Sequence, residues 1–415
     1  MSELKGACLI GQSGGPTSVI NASTLGTIES AFQAESITRV FGAANGIRGV
    51  LDDRLYDLNK EELNELHYLK YTPSSALGSC RYKLKDPAVD DSDYQRILEV
   101  FKKRDIRYFF YNGGNDSMDT CNKISKFMLE NNYECRVMGI PKTIDNDLTG
   151  TDHCPGYGSA AKYIATSCME VYQDAHVYDI GMITILEIMG RHAGWLAASA
   201  ALATYAGFGP DLIYLPETDF AMDRFLGDVK RIYKEKGKCI VAVSEGIHDK
   251  DGKFISEYGA NSDVEQKDMF GHSQLGGLAA VLTAIVKKET GAKVRGIEFS
   301  LLQRAASHCA SQTDIDEAYA SGRAAVKFAL AGQTDKMVAF ERVHSTEYKI
   351  KIKAYDLHRV ANAEKHVPLE WINSEGNGLE PAFIDYALPL IQGQTRQHIE
   401  NGLPRLAKLN KILAE

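Results

Sequence analysis

Short apolar runs alternate along this chain with longer segments of helical period. Runs ended by glycine, proline or polar clusters read as buried strands, and the longer periodic segments read as helices. Strands are predicted over Ala7 to Ile10, Ile37 to Phe41, Ile106 to Tyr111, Val137 to Ile140, Asp179 to Glu187, Leu212 to Leu215, Cys239 to Val243 and Val294 to Phe299. Helices are predicted from about Ser18 into the thirties, then over Asp57 to Leu66, Tyr94 to Lys103, Met118 to Leu129, Gly158 to Gln173 and Asp314 to Leu330. Residues 248–272 read as an irregular polar insertion, followed by a helix to about Lys288. Tyr348 to Asp356 alternates like an edge strand, and 384–413 reads largely as an amphipathic helix. Strands alternating with helices throughout imply an α/β fold with mostly parallel sheets.

In open parallel sheets, ligands bind just past the carboxyl ends of strands. The first strand is followed by Gln12-Ser13-Gly14-Gly15-Pro16-Thr17, which is neither a Walker A loop nor a GxGxxG. By itself it reads as a plain βα turn. Tyr111 runs into a second glycine loop, Asn112 to Ser117. Pro141, lacking an N–H, closes the strand before Lys142, Thr143, Asp145, Asn146 and Asp147. There an ammonium can hold a phosphate, and a carboxylate can take a proton from an attacking hydroxyl. Taken alone, the segment reads equally well as a solvated turn. Three such loops on one sheet edge are harder to dismiss than any one of them. Further along, Gly190 permits a tight turn and Arg191 can fork onto a phosphate. Ser244-Glu245-Gly246 is another polar strand end. Arg81, Lys83 and Lys85 alternate, which suits a solvated face better than a phosphate clamp.

Composition narrows the class. A chain of 415 residues suggests two domains. With 44% hydrophobic and 25% charged residues it fits a soluble globular protein. A net charge of −8 without a basic stretch argues against nucleic acid as a partner. No apolar run reaches membrane length and the N-terminus has no signal pattern, so no membrane partner and a cytoplasmic location are expected. The eight cysteines are scattered without a CxxC pair and read as reduced.

Six motifs in order resemble the phosphofructokinases: GGPTSVIN (14–21), GGNDS (113–117), PKTIDND (141–147), MGRHAG (189–194), SEG (244–246) and LLQR (301–304). The match covers roughly residues 7 to 340. Two details look like the pyrophosphate-dependent branch, since ATP-using members carry glycine at the positions of Asp116 and Lys142. A carboxylate at 116 would repel an α-phosphate, and Lys142 would add a cation beside a compact diphosphate. The resemblance implies two Rossmann-like three-layer domains with the active site between them and magnesium on the donor. The diphosphate-binding domain would comprise 1–157 plus about 303–355, and the fructose 6-phosphate-binding domain 158–302 plus about 356–415.

The resemblance also implies roles. Asp145 would be the general base for the sugar 1-hydroxyl, with Asp147 as its partner. Gly14, Gly15, Gly114 and Lys142 would hold the diphosphate, with Arg81 and Asp116 also at the catalytic centre. Thr143, Ile144, Met189, Gly190, Arg191, Glu245, Arg295 and Arg304 would bind fructose 6-phosphate. Asn115 and Asp116 would hold Mg²⁺. Asn115 replaces the family's usual magnesium aspartate, and Leu301 replaces a histidine common before the arginine of QR. The stretch Gly181-Met182-Ile183-Thr184 lacks an arginine that reaches a neighbouring subunit in many members. A homo-oligomer, dimer or tetramer, is expected. An ATP-dependent phosphofructokinase is the alternative that Asp116 and Lys142 oppose. A non-catalytic regulatory paralogue should have lost Asp145, Asp147 or Arg81, and a nicotinamide-binding protein should show a GxGxxG with a downstream acid.

Overall fold

Two sheets carry the fold, and their carboxyl edges define where chemistry can happen. The computed structural model describes residues 4–258, 277–345, 347–360 and 363–415. In chain order the sheet strands are β1 Gly6–Gln12, β2 Ile37–Ala43, β3 Leu55–Asp57, β4 Ile106–Gly113, β5 Arg136–Pro141, β6 Met182–Ile188, β7 Leu212–Tyr214, β8 Lys238–Ser244, β9 Lys293–Glu298, β10 Lys336–Arg342 and β11 Ile350–Asp356. One sheet has the order β11-β10-β5-β4-β1-β2-β3 and the other β7-β8-β6-β9. The second is parallel throughout. In the first, only the edge pairs β2–β3 and β10–β11 are antiparallel.

The apolar runs explain this arrangement. All seven residues of β1 and all seven of β6 are buried. Strands covered on both faces by helices need apolar side chains on both faces, so they read as continuous runs. The helices Ile20–Phe32 and Gln312–Leu330 cover the first sheet and pack directly on each other. Small residues set that spacing: a Cβ on Gly26 would lie 2.1 Å from the Tyr319 carbonyl oxygen, and one on Gly322 would lie 1.9 Å from that of Ser23. The second sheet packs against the helix Tyr157–His176 and a C-terminal group that includes Val367, Ile372, Phe383, Tyr386 and Leu390.

Three expectations change. Residues 57–66 do not form one helix: Asp57 ends β3 and caps a short 3-10 turn through Asn59 N at 3.2 Å, and the helix spans Leu63–Tyr68. The C-terminal segment is not a long helix. The helix Pro381–Ala387 gives way to a 3-10 turn containing Pro389, and Gly393 and Gly402 both adopt φ of 79°. Around Gly402 the chain turns back and pairs Ile399–Glu400 with Leu403–Pro404. Its end returns to the first sheet, where Asp57 N donates to Ile412 O and Ala414 N to Leu55 O. The tail expected in the second domain therefore lies on the first. Strand β10, with the short apolar core Met337 to Phe340 between charged ends, is not among the predicted strands. The insertion read at 248–272 is described only to Tyr258, and the rest lies outside the described residues. Among the described residues no helix is long and apolar enough to cross a membrane. All eight cysteines are free.

Candidate active site

Sheet order places the polar loops side by side. In the first sheet β5, β4 and β1 are neighbours, with Gln12 opposite Asn112 and Gly113 opposite Pro141. The loops after them therefore start at one level. In the second sheet Ser244 lies opposite Ile188, and Glu187 opposite Glu298. The two sets of loops line one cleft of about 1040 Å³.

On the first-sheet side the cleft is cationic. Lys142 is buried and donates from Nζ to Gly15 O at 2.6 Å. Burial lowers its pKa to about 8, with Arg304 and Arg81 opposing its charge and Asp145 supporting it. Burial also depresses Arg304, as does the nearby Arg81. Gly14, at φ of 74°, and Gly15 leave room for these cations: a Cβ would come within 3.3 Å of Lys142 Nζ and 3.1 Å of Arg304 Nη1, respectively. Like charges gathered under a glycine loop await an anion. The helix Asn115–Glu130 begins directly after Gly114, so its N-terminal N–H groups add to that field. Asp116 sits in its first turn, 4.0 Å from Lys83.

The loop after β5 supplies the carboxylates. Asp145 N donates to Thr143 Oγ1 at 3.1 Å, a turn that fixes Asp145 beside Thr143. Burial raises the pKa of Asp145. Burial, and then the charge of Asp145, carry Asp147 to about 7. Asn115 Nδ2 donates to Asp147 Oδ2 at 3.1 Å. Asn115 Oδ1 and Asp147 Oδ1 are buried without a hydrogen-bond partner. Two unpartnered oxygens beside an anion site suit a hard cation.

On the second-sheet side, Met189, Arg191 and Glu245 line the cleft, with Arg304 entering from the short helix Leu302–Ala305. Gly190, at φ of 136°, does not line the cleft but braces it: its N–H donates to Glu245 Oε1 at 3.2 Å and its carbonyl accepts from Ser244 Oγ at 2.5 Å. Burial raises Glu245 to about 7.

Of the residues expected at the site, Gly14, Gly15, Arg81, Gly114, Asn115, Asp116, Lys142, Thr143, Ile144, Asp145, Asp147, Met189, Arg191, Glu245 and Arg304 come together. Arg295 does not. It stands on the exposed edge strand β9 and pairs with Asp174 at 3.3 Å. The segment 81–85 is not a strand. Arg81 and Lys83 line the cleft, Leu84 is buried, and Lys85 turns away to Asp90 at 2.7 Å. Gln303, unassigned from sequence, is buried and accepts from Met189 N at 3.3 Å. Ala363 and Glu364 also line the cleft, brought there by a bridge between Leu148 and Glu364 and by Lys365 N donating to Asp147 O. No local motif marks that segment.

Comparison with known proteins agrees with this geometry. The phosphofructokinase family model matches residues 7–298. A Halomonas elongata protein named pyrophosphate–fructose 6-phosphate 1-phosphotransferase is 44% identical over 97% of this chain and 96% of its own. One of the same name from Xanthomonas campestris is 45% identical over 98% and 97%. The solved structure of a pyrophosphate-dependent phosphofructokinase from Marinobacter aquaeolei superposes with a TM-score of 0.89 at 40% identity, covering 99% of this chain and 97% of that one. A match over most of the chain, with the quoted motifs meeting in one cleft, means that this chain belongs to the phosphofructokinase family.

Proposed function

We propose that this chain transfers a phosphoryl group reversibly between diphosphate and the 1-hydroxyl of fructose 6-phosphate, giving phosphate and fructose 1,6-bisphosphate. The observation that carries the proposal is the meeting, in one cleft, of a glycine loop backed by the buried Lys142 with the carboxylates of Asp145 and Asp147. The names of the near-full-length relatives support the same substrates.

In this reading the first-sheet lobe holds diphosphate and the second holds the sugar phosphate. Gly14, Gly15, Gly114 and Lys142 cradle the donor, and Arg81 and Lys83 neutralise its outer charge. Arg191 and Arg304 take the sugar phosphate. Glu245 and Thr143 orient hydroxyls, while Met189 and Ile144 supply the apolar wall. Asp145 accepts the proton of the 1-hydroxyl as that oxygen attacks phosphorus. Burial holds the pKa of Asp145 up, which keeps it basic enough for that task, and Asp147 lies beside it. A loose phosphoryl transition state needs only positioning and charge neutralisation, which this set supplies.

The donor oxygens fit Mg²⁺, with Asn115, Asp116 and Asp147 as its protein contacts. When bound, the ion would neutralise charge on the transferring group. Asp116 favours diphosphate over ATP because its carboxylate opposes a third phosphate. Cytoplasmic location and a homo-oligomeric state, dimer or tetramer, belong to the same proposal. The test is direct: purified protein given fructose 6-phosphate, diphosphate and magnesium should form fructose 1,6-bisphosphate, and a chelator should stop it. Absence of product with diphosphate would reject the proposal.

A further inference from the structure

The catalytic loop is held from behind by a residue outside the span of the family model. Asn146 lies between the two cleft aspartates and takes a left-handed φ of 55°. For a residue with a side chain that conformation persists only when the surroundings fix it. They do so through its amide. Asn146 is fully buried; its Nδ2 donates to Tyr386 Oη at 2.8 Å, and its Oδ1 accepts from Cys154 N at 2.9 Å. Tyr386 Oη in turn donates to Asp152 O at 2.8 Å. The ring of Tyr386 is wedged between Trp195 and Trp371, with centroids 5.2 and 5.4 Å away. Its own carbonyl accepts from Arg342 Nη2 at 3.0 Å. One hydroxyl therefore ties the turn carrying both carboxylates to a helix of the other lobe.

We infer that Tyr386 is a positioning residue for the phosphoryl-transfer step: through Asn146 it sets the directions in which Asp145 and Asp147 face the cleft. The inference rests on the proposed roles of those two aspartates. Tyr386 does not line the cleft, so its loss should act on the reacting geometry and not on binding. A displacement of the base of about an ångström costs on the order of a hundredfold in rate.

The experiment compares Tyr386→Phe, Asn146→Gly, their double variant and Asp145→Asn in one steady-state assay across pH. Tyr386→Phe keeps the ring and removes only the hydroxyl. It should lower kcat about a hundredfold, leave KM for both substrates within about threefold, and displace the acid limb of the pH profile. Trp195 and Trp371 are the only two tryptophans of the chain and both flank Tyr386, so unchanged emission reports intact packing. Asn146→Gly accepts the left-handed backbone without the amide and should show the same loss. The double variant should be no worse than the weaker single one, because both break one link. Wild-type kcat in Tyr386→Phe, or losses that multiply in the double variant, overturn the inference. Should Tyr386→Phe fail to fold, wild-type kcat in Asn146→Gly overturns it alone. Near-normal turnover in Asp145→Asn would remove the base assignment beneath it, whereas an inactive Asp145→Asn beside a fully active Tyr386→Phe removes the positioning role only.

Discussion

Asp147 and Asp152 are five positions apart on one loop and have opposite electrostatics. Burial pushes both pKa values upward. For Asp147 nothing sufficient opposes it, the charge of Asp145 adds to it, and the carboxyl reaches about 7. For Asp152 the imidazolium of His153 and the guanidinium of Arg342 overcome burial and bring it to about 2. The rear network is complete. His153 bridges Asp152 at 2.8 Å and Glu317 at 2.7 Å, and Tyr348 Oη donates to Glu317 at 2.8 Å. The front leaves Asp147 Oδ1 without a partner. A fold ordinarily satisfies its buried polar groups, so a buried carboxylate oxygen left without a partner beside a cleft marks a place where a ligand completes the pairing. Under the proposed function, the rear of the loop stabilises and the front reacts.

The sharpest way to break this contrast is Asp145→Asn. Turnover should fall about a thousandfold or more, because an amide cannot accept the proton, with KM for the sugar phosphate little changed. Thermal stability should change little, because burial disfavours the Asp145 carboxylate while Lys142 supports it. Steady-state kinetics and a thermal melt read both, and turnover within tenfold of wild type would contradict the assignment. Next comes Lys142→Met, which keeps the buried stem and deletes the cation. Diphosphate turnover should drop about a hundredfold. A drop confined to stability would make Lys142 a structural residue.

The rear should answer in the opposite way. Glu317→Gln leaves the His153 imidazolium without one of its two carboxylates and should cost about 3 kcal/mol of unfolding free energy. Its kcat should change far less than in Asp145→Asn. A pH series sharpens the test. His153 is buried, but Glu317 and Asp152 outweigh that and raise it from 6.5 to about 9 in the folded protein. A raised histidine stabilises fully below the unfolded pKa, so that contribution is intact below about pH 6.5 and is lost as pH rises through about 9. Lys142, lowered to about 8, opposes that fall above pH 8, so the reading is the gap between the wild-type and Glu317→Gln denaturant curves, which should narrow as pH rises from 6.5 through 9. A gap constant from pH 6.5 to 9 would contradict the rear network.

Much of this contrast was legible in the sequence, but only its front. Lys142, Asp145 and Asp147 stand out as a polar cluster after an apolar strand, a pattern that alone reads equally well as a solvated turn and gains its roles from the resemblance. The glycine loops gained meaning from their order along the chain, which sheet topology then turned into adjacency. The rear was hidden for a physical reason. His153, Glu317, Arg342 and Tyr386 come from four separate stretches, and no spacing links them before the chain folds. Asn146 looked like a third polar loop residue, yet its left-handed backbone turns its amide into the protein. The same blindness covers Glu364, carried to the cleft by pairing with Leu148, and the C-terminal tail, whose apolar residues mimic a helical face although Pro389, Gly393 and Gly402 prevent one. Arg295 shows the reverse case: the resemblance implies a sugar-phosphate contact, but an exposed edge strand places it outside the cleft of its own chain.

The smallest predicted change is Asp116→Gly, which should make ATP a detectable but weak donor, since it removes repulsion without supplying contacts for adenine.

Donor choice in the unaltered protein tests the central claim most directly. The measurement is kcat/KM for diphosphate and for ATP with fructose 6-phosphate at equal magnesium. A cleft built around Lys142, Gly14, Gly15 and Asp116 predicts that diphosphate is favoured by at least about a hundredfold. Equal use of the two donors, or a preference for ATP, would contradict it.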